Sequence, residues 1–329
     1  MVSNLDTAHV MAPSHTIKSD YKDRSRLIVA IGALLLLAGM ALGFLGPLEM
    51  YCFYLFSEGG RFYYPGFGFG SFMFGNIAAQ IIGYYLIAAA LIPLGYGHLT
   101  RRRWARPLAL TLLWSWLVIG APLTVVVSFI LLGSKDLSLP AALAALVFLG
   151  LSYVLFPALL IRFYGGQNVR RSFEARDPGP SRIEDLPMPA LVLSALYLFY
   201  VVVLHILILF NGMYPAFGVF IFGFQGILLL DVSMACLACL VWGTLRLKAW
   251  AWWGAVVLLG LFTFSTVLTF FRYSYLDILA GLAFPPSEIE ILDGIPAQGY
   301  HFSILVGLPL LITWVIALVS KRHFKASGL

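Results

Sequence analysis

Long apolar runs, broken by short segments rich in Gly, Pro, Lys and Arg, are the dominant pattern of the chain. A bilayer-crossing helix needs about 20 apolar residues. Eight runs qualify, at 27–46, 76–96, 108–132, 139–163, 189–211, 222–245, 251–271 and 301–319. They are continuous in Leu, Ala, Ile and Val, without the alternation of a membrane β-barrel strand. Backbone groups in lipid must be satisfied within their own segment, so such runs form helices. The pattern predicts an all-α integral membrane protein with eight transmembrane helices. The first run has no small-x-small cleavage site close behind it, so it reads as a permanent helix rather than a signal peptide. After Pro47 the chain stays apolar to Phe56, which predicts a kinked or interfacial extension.

Lys and Arg concentrate on the cytoplasmic side of membrane proteins. With the N-terminus inside, the inner segments hold 18 of the 21 basic residues, and the outer segments hold only Arg61, Lys135 and Arg272. This asymmetry predicts that both termini are cytoplasmic. It divides the chain into a polar tail (1–26), a four-helix unit (27–163), a cytoplasmic linker (164–187) and a second four-helix unit (188–329). The linker carries Gly165-Gly166 and Asp177-Pro178-Gly179-Pro180.

The two units resemble each other. Tyr64-Pro65-Gly66-Phe67-Gly68 matches Tyr214-Pro215-Ala216-Phe217-Gly218, and Phe72-Met73-Phe74-Gly75 matches Phe220-Ile221-Phe222-Gly223. Gly97-His98-Leu99 through Trp104-Ala105 matches Gly243-Thr244-Leu245 through Trp250-Ala251, and the offset drifts only from 150 to 146. Several landmarks in one order at near-constant offset predict a duplication. Four crossings per half leave both halves in the same orientation, so the repeat is parallel, about an axis along the membrane normal. Tyr64, Pro65, Tyr214 and Pro215 are expected as interfacial anchors in outer turns. Trp104 and Trp250 are expected to anchor the basic inner turns.

Composition sharpens the class. Hydrophobic residues are 61% and charged residues 11%, with mean hydropathy +0.91. A soluble domain carries about 25% charge, so a soluble enzyme, a disordered chain and a secreted disulfide scaffold are excluded. The net charge of +6 reflects the inner-side bias and attraction to anionic headgroups. The basic turns are too short to read nucleic acid, which is not an expected partner. The bilayer and other membrane proteins are. Cys52, Cys236 and Cys239 lie in apolar runs and read as small buried hydrophobes.

Ionisable residues inside the membrane cost roughly 2.5–3.5 kcal/mol each on insertion scales and are functional candidates by default. Asp231 lies about 13 Å into its helix and His205 about 9 Å into its own, at about 1.5 Å per residue. Arg272 and His301 flank the outer loop 273–300. All four belong to the second half. Their counterparts in the first are Tyr51 for His205 and the stretch 83–85 for Asp231. His205 and His301 sit at different depths, which disfavours a haem pair, and no metal-ligand spacing appears. No cofactor is predicted. The loop 273–300 carries Asp277, Glu288, Glu290 and Asp293. It is expected to form a short helix capped at Ser287 and to present a solvated acidic face. No nucleophile elbow or P-loop is present. The leading expectation is an integral subunit or scaffold of a membrane assembly. The alternatives are a permease with a polar site around Asp231, His205 and Arg272, and an outward-facing enzyme on a lipid-linked substrate.

Overall fold

The computed structural model describes residues 21–64, 67–134 and 137–324. Among them, eight helices are long and apolar enough to cross a membrane. The chain is an all-α polytopic membrane protein, and every predicted run falls on one of these spans to within two residues. The first three are α1 (Ser25–Phe56), α2 (Phe72–Leu99) and α3 (Ala105–Gly133). The fourth span, Leu139–Gly165, joins α4 (Leu139–Gly150) to α5 (Phe156–Gly165) through a π turn at Leu151–Leu155. Pro157 follows that turn, and its missing N–H accounts for the local change of register. A short α6 (Gln167–Glu174) precedes α7 (Met188–Leu209). An antiparallel hairpin, β1 (Tyr214–Ala216) and β2 (Val219–Ile221), leads into α8 (Gly223–Leu245) and α9 (Ala249–Arg272). Two short helices, α10 (Tyr275–Leu282) and α11 (Pro286–Asp293), come before the last span, α12 (Gly299–Val319).

The apolar stretch after Pro47 is part of α1, which runs helical for 32 residues. At about 1.5 Å per residue this is about 48 Å, well beyond the roughly 30 Å hydrocarbon core.

The spans pack in sequential pairs: α1 with α2, α3 with α5, α7 with α8, and α9 with α12. The α1–α2 pair is the closest. A Cβ added at Gly32 would stand 2.8 Å from the Leu99 backbone nitrogen, and one at Gly95 2.6 Å from that of Leu36. Small residues at a membrane helix interface let backbones approach in this way. The two halves meet where α3 touches α7 and α12. One core, around Leu196, Tyr197, Leu237, Leu259 and Ala317, joins α7, α8, α9 and α12. A second, around Ile28, Leu94, Ala109, Tyr164 and Phe173, joins α1, α2, α3, α5 and α6.

The two basic turns have the same build. In one, Arg102 N–H donates to Gly97 O at 2.7 Å and Arg101 N–H to His98 O at 3.1 Å. In the other, Lys248 N–H donates to Gly243 O and Leu247 N–H to Thr244 O, both at 3.0 Å. Arg101 (φ 53°) and Leu247 (φ 52°) take the left-handed conformation that ends each helix. The rings of Trp104 and Trp250 lie over Gly97 and Gly243, where any Cβ would stand within 2.7 Å of the indole. The tryptophans therefore pack the turn against the preceding helix, which adds to the anchoring role expected of them.

The segment between the halves is tied to the first basic turn. Arg103 pairs with Glu184 at 2.8 Å and with Glu174 at 3.7 Å. Its guanidinium also donates to Pro178 O at 3.1 Å, and its backbone N–H to Asp177 Oδ2 at 3.3 Å. Val169 and Phe173 bury one side of α6 against the first core.

Candidate functional site

The four intramembrane candidates fall in different surroundings. Asp231 is exposed on α8 and makes no hydrogen bond or ion pair. His205 is exposed on α7, and its Nδ1 lies 2.8 Å from Val201 O, one turn back. Arg272 is exposed at the end of α9, with its guanidinium over Gly218 of the hairpin turn. His301 is 4% exposed and stacks on Phe129 of α3, with ring centroids 6.0 Å apart. Its Nδ1 accepts the Gln298 N–H at 3.0 Å, which assigns the proton to Nε2; that nitrogen is buried with no partner. No hydrogen bond or ion pair joins any two of the four. Among the described residues, no group of three His, Cys, Asp or Glu could hold a metal ion.

The exposed face of α8 also carries Gln225, Ala235, Cys236, Ala238 and Cys239. The expectation of buried cysteines is thus corrected. Both α8 thiols are exposed, Cys52 is half-buried, and all three are free. An apolar run in a soluble protein points inward, whereas in a bilayer it also covers the outside.

The two Tyr-Pro turns part company. Residues 214–221 form the hairpin, whose Phe217-Gly218 turn has both φ values positive, 46° and 95°. Ser265 and Thr269 of α9 hold it. The Phe217 N–H donates to Ser265 Oγ at 2.8 Å, and the Gly218 N–H to Thr269 Oγ1 at 2.9 Å. Ser265 Oγ donates in turn to Pro215 O at 2.8 Å. Tyr214 and Pro215 line a cavity between the helices. The matching segment of the first half is not a strand at its described positions. Pro65 lies outside the described residues. Tyr64 reaches α11 instead, its hydroxyl 3.3 Å from Ser287 Oγ.

The segment 273–300 differs most from expectation. The expected short helix forms as α11 and ends at Gly294, but Ser287 does not cap it; a second short helix, α10, precedes it with a capping box at Ser274 and Asp277. Glu288 is buried at 4% exposure. Its carboxylate accepts the backbone N–H of Phe72 at 2.8 Å and of Met73 at 3.1 Å. A residue of the second half thus caps α2 of the first, satisfying donors that a helix N-terminus leaves without intrahelical partners. Phe72 and Phe284 stack edge to face beside this contact, 5.9 Å apart. The acidic pattern marked this segment, but nothing local distinguished Glu288 from its solvated neighbours.

Beneath α10 and α11 lies a cavity of about 510 Å³ between α3, α7, α9 and α12. Its wall is almost wholly hydrocarbon and aromatic, from Phe199 and Leu204 to Leu279 and Val306. Comparison with protein-family models, with curated proteins and with solved structures finds no match. The reading of function therefore rests on the chain itself.

Sequence reasoning also passed over His98. It is fully buried. Its Nδ1 lies 2.7 Å from Leu94 O, so that nitrogen carries the proton, and Nε2 accepts the Tyr164 hydroxyl at 2.7 Å. This neutral pair links α2 to α5. A lone His inside an apolar run was the available signal.

Proposed function

We propose that the protein is an integral subunit of a membrane assembly, bound to a partner helix through the exposed face of α8. The observation that carries the reading is Asp231. It lies eight residues into α8, about 12 Å along the helix, on the outside of the bundle and without a partner. A lone carboxylate facing lipid at that depth is costly, and such groups are found paired or facing protein. The small residues Ala235, Ala238 and Cys239 continue the same face and suit close helix approach. The occupant is a helix presenting a Lys, Arg or amide donor at matching depth. The permease reading, around Asp231, His205 and Arg272, finds less support, because none of the three lines the cavity. The lipid-enzyme reading lacks paired acid and base groups.

The 4+4 parallel repeat is part of the proposal. Its supports are the matched basic turns at an offset of 146 residues and the pairing order repeated in the two halves. The inner-side charge bias supports cytoplasmic termini in a cell membrane.

The test is affinity purification from the native host in mild detergent, followed by native mass spectrometry. A partner at fixed stoichiometry is expected. Asp231→Leu should lose that partner while keeping the melting temperature of the isolated protein. A lone chain in the wild type, or partner binding unchanged in Asp231→Leu, overturns the reading.

A further inference from the structure

We infer that the cavity under α10 and α11 is a binding site for one long hydrocarbon chain, fatty-acyl or prenyl, carrying a single hydroxyl or carbonyl that meets Thr266.

Size and shape support this. At about 510 Å³ the space falls in the roughly 300–1,000 Å³ range of ligand pockets. It is over three times the ~150 Å³ apolar cavity that stays dry and takes up benzene. It is also elongated. Its wall runs along α7 from Phe199 to Leu207 and along α12 from Phe302 to Leu310. At about 1.5 Å per residue each stretch is about 12 Å long. The long dimension therefore follows the helices, as an extended chain does and a compact ring system does not.

The chemistry of the wall narrows the ligand further. Ordered water needs two to four polar partners, and most hydroxyls here are already used. Ser265 is held between Pro215 and Phe217, and the Tyr200 hydroxyl sits 2.6 Å from Thr313 Oγ1. The Tyr275 hydroxyl donates to Leu292 O at 3.1 Å, and Tyr214 lies 3.3 Å from Ser233. Thr266 is the exception. It is 5% exposed, it lines the cavity, and its hydroxyl makes no hydrogen bond. One donor-acceptor group in an otherwise hydrocarbon wall fits a chain with one polar function.

The roof fits retention. Leu279, Leu282 and Leu292 of α10 and α11 line the cavity. Glu288 fastens α11 to the N-terminus of α2, whose first residue, Phe72, lines the same space. No residue of α8 lines it, so this site stands or falls separately from the partner face.

The experiment is photolabelling of the full chain in phosphatidylcholine nanodiscs, with adducts mapped by mass spectrometry. One arm uses a diazirine fatty alcohol and the other a diazirine prenyl alcohol. Adducts are expected on the peptides holding Leu204, Leu279 and Val306, removed by excess unlabelled alcohol of the same type. The arm with the stronger saturable labelling identifies the chain class. Leu204→Trp fills the space and should reduce saturable labelling at least about tenfold. Thr266→Val conserves shape and guards against a folding failure. It should weaken competition by the alcohol about tenfold while leaving an alkane of equal length unchanged. Adducts confined to exposed residues such as Phe224, Phe264 and Phe271 in both arms overturn the site. Equal effects of Thr266→Val on alcohol and alkane overturn the role of Thr266.

Discussion

His98 and Glu288 do work in this protein that their types do not announce. His98 joins two helices through Tyr164. His98→Leu leaves the Tyr164 hydroxyl buried without an acceptor, at a cost of about 1–3 kcal/mol. The double variant His98→Leu/Tyr164→Phe removes both partners and should recover most of that loss in detergent thermal unfolding. Glu288→Ala frees two donors at the start of α2. Faster amide exchange at Phe72 and Met73, and along α11, is the expected outcome. Asp277 behaves differently because it is exposed. Hydrogen bonds from the Ser274 side chain and backbone hold its carboxyl below the ordinary 3.8. Its cap is therefore intact above the unfolded-state value and is lost as pH falls through the lower folded value. Fraying of α10 should appear only below about pH 4. Asp277→Asn should remove that acid dependence, as read by amide exchange at residues 275–282.

At the scale of elements, the α1–α2 pair and the inter-half segment rest on different forces. The pair depends on backbone approach, so Gly95→Leu forces α1 off α2. Overpacking of this kind costs about 1–3 kcal/mol, and a lower melting temperature with unchanged helix content is expected. The glycines of α1 at 32, 39 and 46 recur every seven residues. That spacing was a legible sign of a packed face, yet it does not say which helix covers it. The inter-half segment is held by charge. Arg103 is its hub, and Arg103→Ala should expose Arg176 and Arg182 to trypsin in permeabilised membranes. Unchanged cleavage would show that the apolar side of α6 suffices to hold the segment. The helix expected to begin at Ser287 is α11, but Ser287 does not cap it, and α10 before it was not expected. The box formed instead at Ser274, where the chain leaves α9.

For the whole molecule, the testable statement is sidedness. In a background with Cys52, Cys236 and Cys239 changed to Ser, an impermeant maleimide should label Ser287→Cys in intact cells. Ser181→Cys should react only after permeabilisation. The reverse pattern would invert the topology. The joining of the halves was not visible in the chain. It runs through contacts of α3 with α7 and α12, and through Glu288 at the start of α2.

The number of spans, their positions and the shared basic turns were determined by the sequence alone. Each depends on interactions within about 20 residues: hydrocarbon length against bilayer thickness, backbone bonding inside a helix, and a turn whose parts are neighbours in the chain. Which face of each span is covered was decided only by the tertiary structure. In lipid, inward and outward faces are both apolar, so hydropathy carries no trace of the difference. That is why Asp231 and His205, alike as intramembrane polar residues in the sequence, could not be assigned to the interior or the exterior. It is also why the cavity, assembled from five separate stretches of chain, has no linear signature.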